Sequence, residues 1–150
     1  DSLCTQEVMP LRSELFKHSR EERLKLMVDR AEMQHKIREE EPDIVWIMGW
    51  CYVPGEDNAY YDKTLLLQRV EAGTGGMAAS GYMAVPADWC RRDVMESLRG
   101  EEHIELAGFV LRVLKKDLEA GTYRIGMVCK NQVTEETALA WSEKEIVVTF

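Results

Sequence analysis

Asp43-Ile44-Val45-Trp46-Ile47-Met48-Gly49-Trp50-Cys51-Tyr52-Val53 is the stretch that decides the fold of this chain. It is almost wholly apolar, rich in β-branched and aromatic residues, and bounded by Pro42 on one side and Pro54-Gly55 on the other. A run of that composition between two turn signals reads as a strand buried on both faces. It is the central strand of an expected β-sandwich.

Outward from it toward the C-terminus, the chain alternates strands and turns. Thr64 to Ala72 and Met77 to Val85 read as two strands of a hairpin joined by Gly73-Thr74-Gly75-Gly76. Pro86 to Leu98 is irregular, with room for one or two helical turns. Ile104 to Leu114 is strand-like, and Leu118-Glu119-Ala120-Gly121 is a tight turn. In the run that follows, Tyr123, Ile125, Met127 and Cys129 share one face, the core face of the next strand. Asn131-Gln132 is a hairpin turn, and Thr137 to Trp141 and Glu145 to Phe150 close the chain. About seven strands follow one another without intervening helices, which predicts two antiparallel sheets, Ig-like or jelly-roll-like, over residues 43–150.

Toward the N-terminus the material changes. Residues 1–42 read as a helical segment packed on the sandwich or leading into it. Pro10 fits the first turn of a short helix, and Ser19-Arg20-Glu21-Glu22 has the form of a capping box. A helix of roughly 30 Å is predicted from Arg20 to Glu40, ending before Pro42. Leu24, Met27, Val28 and Ala31 form one apolar stripe, with Leu26, Met33 and Ile37 beside it. The stripe lacks a sustained heptad, so packing is favoured over a coiled coil.

Composition bounds the function. The chain has 150 residues, 45% hydrophobic and 31% charged, with a formal net charge of −8. That is one domain with a real core. An acidic surface repels phosphate backbones and anionic lipid heads, which argues against nucleic acid as a partner. No apolar run approaches the ~20 residues of a membrane span. The chain starts at Asp1 without an initiator Met, which reads as a cut from a longer precursor. Any membrane contact would then run through a segment outside this chain, and an extracytoplasmic or membrane-associated parent is the favoured setting.

Candidate chemistry is sparse. Cys4, Cys51, Cys90 and Cys129 contain no CxxC pair. Cys51 and Cys129 fall in strands as small core residues, with a disulfide between them as the alternative in an oxidising compartment. Cys90 beside Arg91-Arg92 offers a lowered thiol pKa and nothing else. His18, His35 and His103 have no metal spacing. Gly73-Thr74-Gly75-Gly76 lacks the Lys-Ser/Thr of a phosphate loop and suits a hairpin turn instead. Asp93 suits an ion pair with the arginines before it. Glu56, Asp57, Asn58 and Asp62 place hard oxygen ligands in one loop and could hold Ca²⁺, although acidic loops are commonly just solvated. No catalytic residues and no cofactor are expected, and side chains should fill the sandwich interior, leaving no room for reactive machinery.

Gly49-Trp50-Cys51-Tyr52-Val53-Pro54-Gly55-Glu56-Asp57, Leu65-Leu66-Leu67, Arg92-Asp93-Val94, Ala107-Gly108-Phe109, and Leu118 with Gly121-Thr122-Tyr123-Arg124-Ile125-Gly126-Met127 follow in an order that carries a resemblance. It resembles small β-sandwich accessory domains found beside bacterial glycosyltransferases and in cell-envelope proteins of surface-polysaccharide systems. The resemblance covers residues 44–150. It implies a non-catalytic module whose partners are other domains of a parent protein, and it supplies no catalytic residues.

Aromatic side chains give the second functional reading. Sugars stack their C–H faces on exposed rings. Tyr60 and Tyr61 lie in a loop, Trp89 in an irregular segment and Trp141 near a strand end. Together they would form a glycan platform; separately they would cap the ends of the sandwich. Trp46 and Trp50 alternate with Met48 and Tyr52 and are expected to be core, or covered by the N-terminal helix.

Overall fold

The computed structural model describes residues 5–12, 14, 23–34, 42–71, 77–101 and 103–150. Its elements, in chain order, are β1 (Met9–Pro10), β2 (Lys25–Gln34), β3 (Ile44–Tyr52), β4 (Tyr61–Val70), β5 (Met77–Ala84), β6 (Ala87–Trp89), α1 (Arg92–Ser97), β7 (Gly108–Leu114), β8 (Gly121–Asn131) and β9 (Thr137–Val148). They form two antiparallel sheets, β1-β5-β4-β8-β9 and β2-β3-β7-β6. The chain is a β-sandwich.

The expected long helix is corrected. Residues 25–34 are a strand, hydrogen-bonded along β3 from Lys25↔Tyr52 to Gln34↔Ile44. The sequence pattern misleads because the ladder slips between Val28 and Arg30, leaving Asp29 as a β-bulge. Leu26 and Val28 point inward before the bulge, and Ala31 and Met33 after it. One extra residue turns a spacing of two into a spacing of three, and apolar positions 24, 28 and 31 then imitate a helical stripe. Residues 20–22 and 35–40 of that expected helix, with the capping box at 19–22, lie outside the described residues. So do His18, His35 and the hairpin turn at 73–76. Pro10 is in an edge strand opposite Tyr82, where its missing N–H costs no ladder bond, rather than in a helix.

The core lies between the sheets. Val45, Ile47, Cys51 and Val53 of the β3 stretch face Leu65, Leu67, Tyr123, Ile125, Met127 and Cys129 from the opposing sheet. The inward face expected for residues 123–129 is the observed one. Trp46, Met48, Trp50 and Tyr52 occupy the outer face of β3, so that strand is covered on both sides by different means. Trp46 lies between the Arg30 and Arg112 guanidinium groups, 5.1 and 5.8 Å from its ring centroid. Trp50 stacks on Tyr52 at 6.0 Å, and both pack on Val94, Ile104 and Ala107 around α1. The cover over Trp50 is therefore α1 and the 104–107 loop, in place of the N-terminal helix.

Two further ties close the sandwich. The amide of Gln6 donates to the Arg112 carbonyl on β7 at 2.7 Å, and the amide of Leu11 donates to the Gly81 carbonyl on β5 at 3.0 Å. The N-terminal segment thus crosses from one sheet to the other. On the opposite side, Lys144 Nζ of β9 donates to the Asp29 carbonyl at the β2 bulge, 2.8 Å away. Residues 137–148 are one continuous strand instead of the two expected; the ladder with β8 shifts between Arg124 and Gly126, so the strand bends without breaking.

Candidate functional site

At one end of the sandwich the sheets part around an open cleft of about 660 Å³. The expectation that side chains fill the interior throughout does not hold at this end. Cys51 and Tyr52 from β3, Tyr61 to Thr64 from β4, Cys129 and Lys130 from β8 and the 103–107 loop line it, with Asn58, Asp88, Gln132 and Thr137. The volume falls within the range of small-ligand sites.

The loop after β3 builds one wall. Asn58 holds it, accepting from the Val53 amide at 2.7 Å and donating to the carbonyls of Glu56 and Val53 at 3.1 and 3.3 Å. Gly55 has φ +77, a conformation that favours glycine, and its amide donates to Glu101 Oε1 at 2.8 Å. Asp57 caps the short helical turn at 58–60 through the Ala59 amide, 3.1 Å away, and contacts His103 Nδ1. The Ala59 amide first, and His103 second, hold the Asp57 carboxyl below the usual aspartate value. Glu56 accepts from Tyr61 Oη at 3.2 Å and pairs with Arg23 at 3.5 Å.

The opposite wall carries an inter-sheet tie. Lys63 of β4 has a side chain only 15% exposed. Its Nζ donates to Asp88 Oδ1 on β6 at 2.9 Å and to the Leu106 carbonyl at 2.7 Å. Asp62 accepts from Gln132 Nε2 at 2.7 Å, and Lys130 pairs with Glu135 at 3.7 Å. Chemically, the cleft offers hydrogen-bonding groups of both signs over apolar patches at Val85, Pro86 and Leu106.

Of the four oxygen donors considered for Ca²⁺, Glu56, Asp57 and Asn58 are engaged in the loop network, whereas Asp62 lies in β4 and accepts from Gln132. Among the described residues, no group of three or more His, Cys, Asp or Glu side chains is arranged to hold a metal ion. Of the four aromatics, Tyr61 lines the cleft; Tyr60, Trp89 and Trp141 do not. Tyr60 and Trp89 are 48% and 41% exposed. Trp141 lies on the outer face of the five-stranded sheet, against the cluster of Leu66, Met83, Val128 and Leu139. There it pairs across the strands with Gly126 and stacks under Arg124, 3.6 Å from the ring centroid. Gly126 leaves the space that the indole fills, since a Cβ would come within 2.5 Å of it. The structure therefore places Trp141 in packing, apart from Tyr61.

Cys90 is exposed, with Met95 Sδ 3.8 Å from its sulfur. Arg91 forks onto Asp93, Nε to Oδ1 at 3.0 Å and Nη2 to Oδ2 at 2.8 Å, and reaches Asp29 at the β2 bulge with Nη1. Arg91 thus ties the start of α1 to β2, and its guanidinium lowers the Asp93 carboxyl pKa. Among the cleft residues that the sequence did not single out are Lys63, Asp88, Glu105 and Gln132. Lys63 and Gln132 come from the five-stranded sheet and the turn after β8, Asp88 and Glu105 from β6 and the loop before β7, and the packing of the two sheets brings them together. Among the described residues no helix is long and apolar enough to cross a membrane. Comparison of the chain with protein-family models, curated proteins and solved structures gives no match.

Proposed function

We propose that this chain is a non-catalytic accessory and interaction module of a larger, envelope-associated bacterial protein, built as an Ig-like sandwich. The Ig-like reading rests on strand order. Sheets β2-β3-β7-β6 and β5-β4-β8-β9 correspond to the ABED and C′CFG arrangement of Ig-type domains, with β1 added at an edge. The Tyr123 hydroxyl, donating to the Glu119 carbonyl four residues back at 2.7 Å, is a tyrosine corner of the same kind.

The observation that carries the functional reading is the pairing of charges around the cleft. Lys63, Asp62, His103 and Lys130 each contact a neighbour that helps build the rim. Such groups hold shape, whereas a catalytic acid, base or nucleophile is aimed at a substrate. The test starts from the coding sequence on either side of the chain. In the parent protein so identified, residues 43–150 are replaced with a flexible linker. The expected result is that turnover on a small soluble acceptor persists while binding to partner domains or polymer is lost. Loss of the chemical step, with the rest of the parent still folded, would overturn the reading.

A second reading is a carbohydrate-binding module, now centred on the cleft instead of on four loop aromatics. Tyr52 and Tyr61 beside mixed donors and acceptors are the observation that favours it. Calorimetric titration of the chain with neutral oligosaccharides should give saturable heat that Tyr61→Ala removes. Absence of heat at millimolar ligand would eliminate this reading.

A further inference from the structure

We propose that Cys51 and Cys129 form a modification site: the two thiols close to an inter-sheet disulfide when a low-molecular-weight disulfide reaches them through the cleft. The sulfurs are 4.0 Å apart on β3 and β8, 78 residues apart in sequence. Each residue is 2% exposed, and each is on the inward face of its strand. Both strands are flanked by hydrogen-bonded neighbours, β3 by β2 and β7, and β8 by β4 and β9. Each backbone is therefore fixed within its own sheet, and the sulfurs need to approach by about 2 Å to reach bonding distance.

Both cysteines also line the cleft, so the pair is buried yet opens onto a route from solvent. The Cys51 sulfur beside it first, and burial second, push the Cys129 thiol well above its ordinary pKa. The Cys129 thiol is accordingly protonated and slow to react at neutral pH. The chemistry balances with a disulfide oxidant. The Cys51 thiolate attacks one sulfur of the oxidant and expels the first thiolate. The Cys129 thiolate then attacks the Cys51 sulfur of the mixed disulfide and expels the second. The two protein thiol protons pass to the two leaving thiolates, and the oxidant is reduced to two thiols as the pair is oxidised. This inference rests on the thiol geometry and is independent of what the module binds.

The test uses the full chain. Reduced protein is incubated with oxidised glutathione at pH 8, remaining thiols are alkylated in denaturant, and unreduced peptides are mapped by mass. The expected product joins the Cys51 and Cys129 peptides with loss of two hydrogens. The melting temperature rises by about 10 °C, because the bond closes a long loop, and dithiothreitol reverses the rise. Alkylation of both residues while exposed Cys90 carries glutathione would overturn the proposal, as would a linked product that melts lower. A parallel sample refolded from denaturant in the same buffer separates site from route. Linkage in that sample alone would overturn access through the cleft; linkage in neither would overturn the site.

Discussion

Gly49→Ala should be among the most damaging single-methyl additions to this chain. Gly49 lies in the middle of β3, opposite Val28 where the β2 ladder slips. A Cβ built there comes within 2.0 Å of the Met27 carbonyl oxygen and 3.0 Å of the Met27 carbonyl carbon and Val28 Cα. Ordinary carbon–oxygen contacts begin at roughly 3.3 Å, so β2 and β3 must part by more than about 1 Å against a ladder spacing of about 4.8 Å. The obstruction is backbone, and no rotamer relieves it. Two weakened ladder bonds at about 1 kcal/mol each, with about 1–3 kcal/mol of strain, outweigh the roughly 0.4–1 kcal/mol gained from stiffening the unfolded chain. The net loss is about 2–4 kcal/mol. With a urea slope near 2 kcal/mol/M, the unfolding midpoint falls by about 1–2 M. Gly100→Ala is the control, since nothing lies within 4 Å of a Cβ there; its midpoint should correspond to a change within about 0.5 kcal/mol. If the two variants unfold at the same urea concentration, the close approach of β2 to β3 is wrong.

Three other outcomes follow from single features. Lys63→Met removes both Nζ bonds of a mostly buried lysine, leaves the Leu106 carbonyl without that donor, and should cost about 2 kcal/mol by urea unfolding. Trp46→Phe deletes a buried indole N–H that has no acceptor among the described residues; the relief offsets the lost ring area, and stability should change by less than about 1 kcal/mol, well short of a usual core Trp truncation. Asp57 and Asp93 both have carboxyl pKa values lowered from 3.8, Asp57 chiefly by the Ala59 amide and Asp93 chiefly by Arg91. A lowered folded pKa means the unfolded chain takes up the proton first, so their stabilisation is complete above about pH 4 and fades as pH falls through the folded values. Asp93→Asn should therefore flatten the acid limb of thermal stability measured from pH 5 to pH 2, and an unchanged limb would refute the Arg91 pairing.

Much of the sandwich was legible because its strands obey period two. Residues 44–53 and 123–129 announce themselves through their β-branched and aromatic content; alternation picks out the inward face of 123–129, whereas the run at 44–53 is apolar on both sides, and Val45, Ile47 and Cys51 face the core while Trp46 and Trp50 face outward. Residues 25–34 were not legible as a strand. Strong helix formers such as Glu32, Lys25 and Met27 coincide there with a bulge at Asp29 that breaks the alternation, and only pairing with β3 decides the outcome. The aromatics misled for a related reason. Trp141 covers a glycine on the neighbouring strand, a relation fixed by the hairpin register and not by local composition. The cleft was hidden because Lys63, Asp88 and His103 come from separate elements, whereas Cys51 and Cys129 were visible as strand residues facing the same core.

Nuclear Overhauser contacts across β2 and β3 test the account at its centre, because the second sheet, the bulge and the inward thiol at Cys51 all depend on that pairing. The ladder predicts cross-strand contacts linking Met27 with Trp50, Ala31 with Ile47 and Met33 with Val45. Sequential amide–amide contacts with i to i+3 connectivities through residues 25–34 would instead establish a helix there and contradict the sandwich described.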